Sequence, residues 1–91
     1  VLDLSTNQIG DHGALALSVN KQLARLEKLI LRTNLITDDG VEALLRSERL
    51  PRLKRLDLRD NRMNVNNERR LSRLADQRGI HFQFWPGAWG S

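Results

Sequence analysis

In Lys28-Leu29-Ile30-Leu31-Arg32 the side chains alternate, so Leu29 and Leu31 share one face of a short strand. Leu2 with Leu4, and Leu56 with Leu58, repeat that pattern. Further along each time the apolar period lengthens. Val41, Leu44 and Leu45 stand at i, i+3, i+4 and predict a helix, with Thr37 or Asp38 as its N-cap. Asp11 with Ala14, Leu17 and Ser18 follows the same register. The alternation of strand and helix recurs at a fixed interval: Asn7, Asn34 and Asn61 are 27 residues apart. Leu4, Leu31 and Leu58 precede them by three, and Leu2, Leu29 and Leu56 by five. Ile9, Ile36 and Met63 follow by two, Gly13 and Gly40 by six, and Leu17 and Leu44 by ten. Repeats over 1–25, 26–52 and 53–79 are expected, each stacking on the next to bury a leucine ridge.

The third repeat departs from the other two. Asn67 replaces the Gly, and Asn64 or Asn66 is a candidate cap for a helix with Leu71 and Leu74 inward and Gly79 just past its end. Ile80, Phe82 and Phe84 then alternate with His81 and Gln83 as a fourth strand, one residue early against the 27-residue period. Phe82, Phe84, Trp85 and Trp89, the four aromatic residues of the chain, all fall in its last ten positions, so 80–91 reads as a capping strand and aromatic tail over the last apolar layer. Val1 starts inside a strand, so Leu2 and Leu4 are expected to leave an open edge. That edge suggests the C-terminal part of a longer repeat protein, or self-association with another copy.

The stretches LEKLILRTNLITDDGVEALL and LKRLDLRDNRM resemble the leucine-rich repeat family, and the 27-residue period resembles its ribonuclease-inhibitor-like class. The resemblance covers residues 1 to about 75. It implies an α/β right-handed solenoid, with parallel strands on the concave face and helices on the convex face. It also implies that Asn7, Asn34 and Asn61 form a structural ladder, each side chain satisfying backbone groups in its turn. More narrowly, LDLSTNQIGDHGALAL followed by ERRLSRL and RGIHFQF is similar to the ends of planctomycete-type bacterial repeat arrays. The turn Gln77-Arg78-Gly79 lacks their Phe. Ran GTPase-activating proteins share the repeat class, but the region carrying their catalytic Arg has no counterpart here, so no Arg is carried over.

Charge sharpens the picture. The formal net charge is +4, and residues 46–78 hold ten Arg and Lys54 against five acids. On a leucine-rich repeat the concave strand face is the usual binding surface. The side chains pointing away from the leucines are Lys28, Ile30 and Arg32, then Arg55, Asp57 and Arg59, then His81 and Gln83. Arg32 and Arg59 should stand about 5 Å apart, and Asp57 lies between the basic rows, where it can partly neutralise them. Such a face suits a protein partner with carboxylates, which Arg can grip in two-point contact. The alternatives are anion or nucleic-acid binding through the Arg-rich segment 46–78, or a purely structural cap. Nucleic acid is disfavoured, because no aromatic residue interleaves that segment.

No enzyme is expected. His12 and His81 lack the neighbours of a metal site, and no serine elbow or phosphate loop is present. No metal or cofactor is called for. The chain has no apolar run long enough for a membrane span, and its lack of cysteine fits a cytoplasmic setting.

Overall fold

A computed structural model describes residues 1–84. Trp85 and Trp89 of the expected aromatic tail lie outside the described residues. Strands β1 (Leu2–Asp3), β2 (Lys28–Ile30), β3 (Arg55–Asp57) and β4 (His81–Gln83) form one parallel sheet in chain order. Helices α1 (Asp11–Ser18), α2 (Asp38–Leu45) and α3 (Glu68–Gln77) connect them and pack on one another. This is the alternating strand–helix arrangement of an α/β solenoid. No helix among the described residues is long and apolar enough to cross a membrane.

The register follows the period. Leu2 pairs with Leu29 and Leu29 with Leu56, each 27 residues on. Leu56 pairs with Phe82, a step of 26, so the last strand arrives one residue early, as the apolar pattern predicts. The aromatic rings of Phe82 and Phe84 stack at 5.8 Å beyond β3. Leu29, Leu31, Leu44, Leu50, Leu56, Leu58 and Leu71 are fully buried between sheet and helices. Each contributes roughly 1.5–3 kcal/mol relative to exposure. The first repeat is different. Leu2, Leu4, Ile9, Leu17, Leu23 and Leu26 are only partly buried, although their counterparts 27 residues on are buried.

The expected cap of α2 is not made, and that of α3 forms one turn early. Thr37 and Asn67 occupy the N-cap positions of α2 and α3, and neither makes a side-chain cap bond. Asn64 instead accepts from the Asn66 amide inside the turn before α3. The Asp38 carboxylate reaches past its own helix end to the next repeat, accepting from the Asn64 amide at 2.9 Å and from the Asn67 side chain at 2.5 Å. Asp11 does the same one repeat earlier, accepting from the Thr37 amide at 2.8 Å and from the Thr37 hydroxyl. A carboxylate that bonds donors in the neighbouring repeat ties two turns together, which a local cap cannot do. Gly79 closes α3 at φ +68°, a left-handed conformation that glycine adopts without strain.

Candidate functional site

The strands are held in place at their C-terminal ends by asparagine. The Asn34 Oδ1 accepts from the amides of Asn7 at 3.0 Å and Ile9 at 2.9 Å in the preceding repeat. Its Nδ2 donates to the carbonyls of Leu4, Leu31 and Arg32. Asn61 repeats the arrangement, accepting from the Ile36 amide and donating to Leu31, Leu58 and Arg59 carbonyls. Asn7 donates to Leu4 and Ser5 carbonyls and is exposed. Beside these turns Thr6, Thr33 and Asp60, again 27 apart, all sit at φ near +60°. For a β-branched Thr this conformation is strained. The residue preceding each Asn is therefore set by the turn rather than by its own preference.

The strand face resolves into three rows. The first joins Lys28, Arg55 and His81, which are register partners on β2, β3 and β4. Adjacent members stand about 4.8 Å apart, the strand spacing. None of these three side chains has a hydrogen-bond or ion-pair partner among the described residues. Arg55 and His81 are exposed, and Lys28 is partly so. Lys28 and Arg55 also line an open recess of about 400 Å³ with Arg25, Glu27 and Lys54.

The middle row joins Ile30, Asp57 and Gln83. Ile30 and Asp57, expected on the open face, are 9% and 4% exposed. The third row explains this. Arg59 forks onto the Asp57 carboxylate with Nε at 3.0 Å and Nη2 at 2.7 Å. Arg32 crosses from the neighbouring strand to the same carboxylate at 3.3 Å. Two arginines expected to be partly neutralised by Asp57 are thus turned onto it, the acid itself being buried, and their arms close over the middle row. Burial pushes the Asp57 carboxyl up, but the hydrogen bonds from Arg59 and the charges of Arg59 and Arg32 outweigh it, so its pKa lies below the ordinary 3.8. Hydrogen bonding to Asp57 raises the Arg59 pKa in turn. Gln83 remains partly exposed at the end of the row.

On the helix side two contacts had only a faint signal in the sequence. Glu42 on α2 accepts from Arg46 at 2.8 Å and from Arg70 of α3 at 2.6 Å, clipping the two helices together. Hydrogen bonds from Arg70 and Arg46 hold its pKa below the ordinary value. Arg78 donates to carbonyls of Leu45, Ser47 and Leu50 and so satisfies the end of α2. Only the i, i+4 spacing of Glu42 and Arg46 could have flagged the first. No cluster of three or more His, Asp or Glu that could hold a metal occurs among the described residues.

A family model described as Leucine Rich repeat matches residues 1–18 and 25–45. No curated protein matches the chain.

Proposed function

We propose that this chain, a leucine-rich repeat protein, binds a protein partner on its concave strand face through the row Lys28–Arg55–His81. Leucine-rich repeats generally serve protein interaction and are typically binding modules rather than enzymes. The observation that carries the reading is the contrast between rows. Arg32 and Arg59 share the Asp57 carboxylate, whereas Lys28 and Arg55 are held in register on adjacent strands and form no ion pair among the described residues. A charge fixed by the sheet and without an ion pair among the described residues is available to carboxylates of a partner. Little backbone ordering is needed to bind, because the strands are already held by Asn34 and Asn61.

The experiment compares retention of proteins from the native host on the immobilised wild type, on Lys28→Glu with Arg55→Glu, and on Arg69→Glu with Arg73→Glu. Reversing two contacting charges should weaken a partner by tenfold or more. A partner lost on the strand variant and kept on the helix variant supports the reading. A partner kept equally on both refutes it.

A second reading rests on the half-covered leucines of the first repeat. Their apolar ridge and the outer edge of β1, which pairs with no other strand among the described residues, favour contact with a second copy of the chain. Light scattering should then show a concentration-dependent dimer that Leu17→Gln with Leu23→Gln disperses. A monomer at all concentrations excludes it.

A further inference from the structure

We propose that the cleft between α2 and α3, on the face opposite the strands, is a second binding site, and that it takes a phosphorylated peptide segment. The cleft begins with a sequence change. Gly40 lets α2 start tight against α1, since a Cβ there would lie 2.5 Å from the Asp11 Oδ1 and 3.1 Å from the Ala14 Cβ. The equivalent position of the third repeat is Asn67, whose amide fills the gap by donating to Asp38. α3 accordingly meets α2 over a shorter stretch than α1 does. A cavity of about 630 Å³ opens along the join.

Its walls carry Arg46 at the C-terminal end of α2 and Arg69, Arg70 and Arg73 from α3, and among the described residues no acid. Glu42 fixes Arg46 and Arg70 from behind. Arg69 and Arg73 are exposed and have no ion-pair or hydrogen-bond partner among the described residues. They are four apart on one helix, so their side chains lie about 5–6 Å apart and repel. A single tetrahedral dianion can sit between two such forks and offset both charges, where a carboxylate, though it can bridge two arginines as Glu42 does, offsets only one.

The remaining walls point to peptide. From Asn66 to Gln77 the cleft runs about 16 Å along the helix, the length of about five extended residues. The amide side chains of Asn66, Asn67 and Gln77 can pair with a peptide backbone. At Leu74 and Arg46 the cleft joins a second recess of about 560 Å³ that also includes Pro51, Ser47, Glu48 and Arg78, where Leu74 and Pro51 offer apolar contact to a neighbouring peptide side chain. No aromatic ring among the described residues lines either recess, so none of them offers nucleic-acid bases a stacking platform.

The test uses the full chain and a fluorescein-labelled peptide, Ala-phosphoserine-Gly-Leu-Ala, read by fluorescence anisotropy against the same peptide without phosphate. The phosphorylated form should bind at least tenfold more tightly. Arg69→Glu with Arg73→Glu should cost at least tenfold while the thermal melt stays that of the wild type. Lys28→Glu with Arg55→Glu should leave the affinity unchanged, which separates this site from the strand face. Equal affinity for the two peptides, or indifference to the Arg69 and Arg73 changes, would overturn the proposal. Tighter binding of a labelled oligothymidylate than of the phosphopeptide would overturn it in favour of nucleic acid.

Discussion

Replacing Asn34 by Ala should be the most damaging single truncation in the turns, and the hydrogen bonds show why. Three of the five bonds made by its side chain go to carbonyls that keep another donor. Leu4 O keeps the Asn7 Nδ2, Leu31 O keeps the Asn61 Nδ2, and Arg32 O keeps the Thr6 amide. The other two bonds have no substitute. The amides of Asn7 and Ile9 both donate to the Asn34 Oδ1 and to no other acceptor among the described residues. An orphaned buried amide costs about 1–3 kcal/mol. Asn7 is exposed, so its amide regains water at the low end of that range. Ile9 is partly buried and costs more. The expected loss is about 3 kcal/mol, or roughly 12–24 °C in Tm for a domain of this size. Asn61→Ala orphans one amide, that of Ile36, and should cost about 2 kcal/mol. Asn7→Ala orphans none and should cost under about 1 kcal/mol. Urea and thermal unfolding followed by circular dichroism measure all three. Equal losses for Asn7 and Asn34, or a loss below about 1 kcal/mol for Asn34, would refute the reasoning, because the cost would not follow the amides left unpaired.

Three further outcomes follow from local geometry. Thr33→Asn should raise stability by about 1 kcal/mol, since Thr33 is held at φ 57° and Asn tolerates the left-handed region; a lower Tm contradicts this. Gly40→Ala should cost about 1–3 kcal/mol by crowding Asp11 and Ala14, whereas Gly10→Ala, whose nearest neighbour is 4.0 Å away, should cost under about 1 kcal/mol in the same melts. Asp57 has its folded pKa below 3.8, so its contribution to stability is complete above that value and is lost as pH falls through the folded pKa. The Tm gap between the wild type and Asp57→Asn should therefore be constant above pH 5 and shrink below about pH 4; a gap that widens in acid contradicts the pairing with Arg59 and Arg32.

The solenoid is legible in the sequence because stacking enforces it. Each repeat must present Leu29-like and Leu31-like positions to the same ridge, so the 27-residue spacing of leucine and asparagine carries the strand register directly. Even the early fourth strand shows in Phe82 and Phe84. What escapes the pattern depends on long side chains that choose between partners. The alternation of β3 places Asp57 between the basic rows but does not tell that it takes Arg32 and Arg59 and leaves Lys28 and Arg55 exposed. The spacing of Asp11 and Asp38 is as regular as that of the asparagines, yet it suggests a helix cap. The carboxylates bond the following repeat instead, which only the closeness of stacked turns permits. The cleft between α2 and α3 is foreshadowed by Asn67 in a glycine position, but its depth arises from helix packing and is invisible in one dimension.

The strand-face account is tested most directly by nuclear magnetic resonance, recording amide shifts of the 15N-labelled chain during titration with hexaglutamate. Saturable changes should centre on Lys28, Arg55 and His81 and their neighbours on β2, β3 and β4, weaken with added salt, and vanish in Lys28→Glu with Arg55→Glu. Changes confined to α2 and α3, or strand changes that survive the charge reversals, would contradict it.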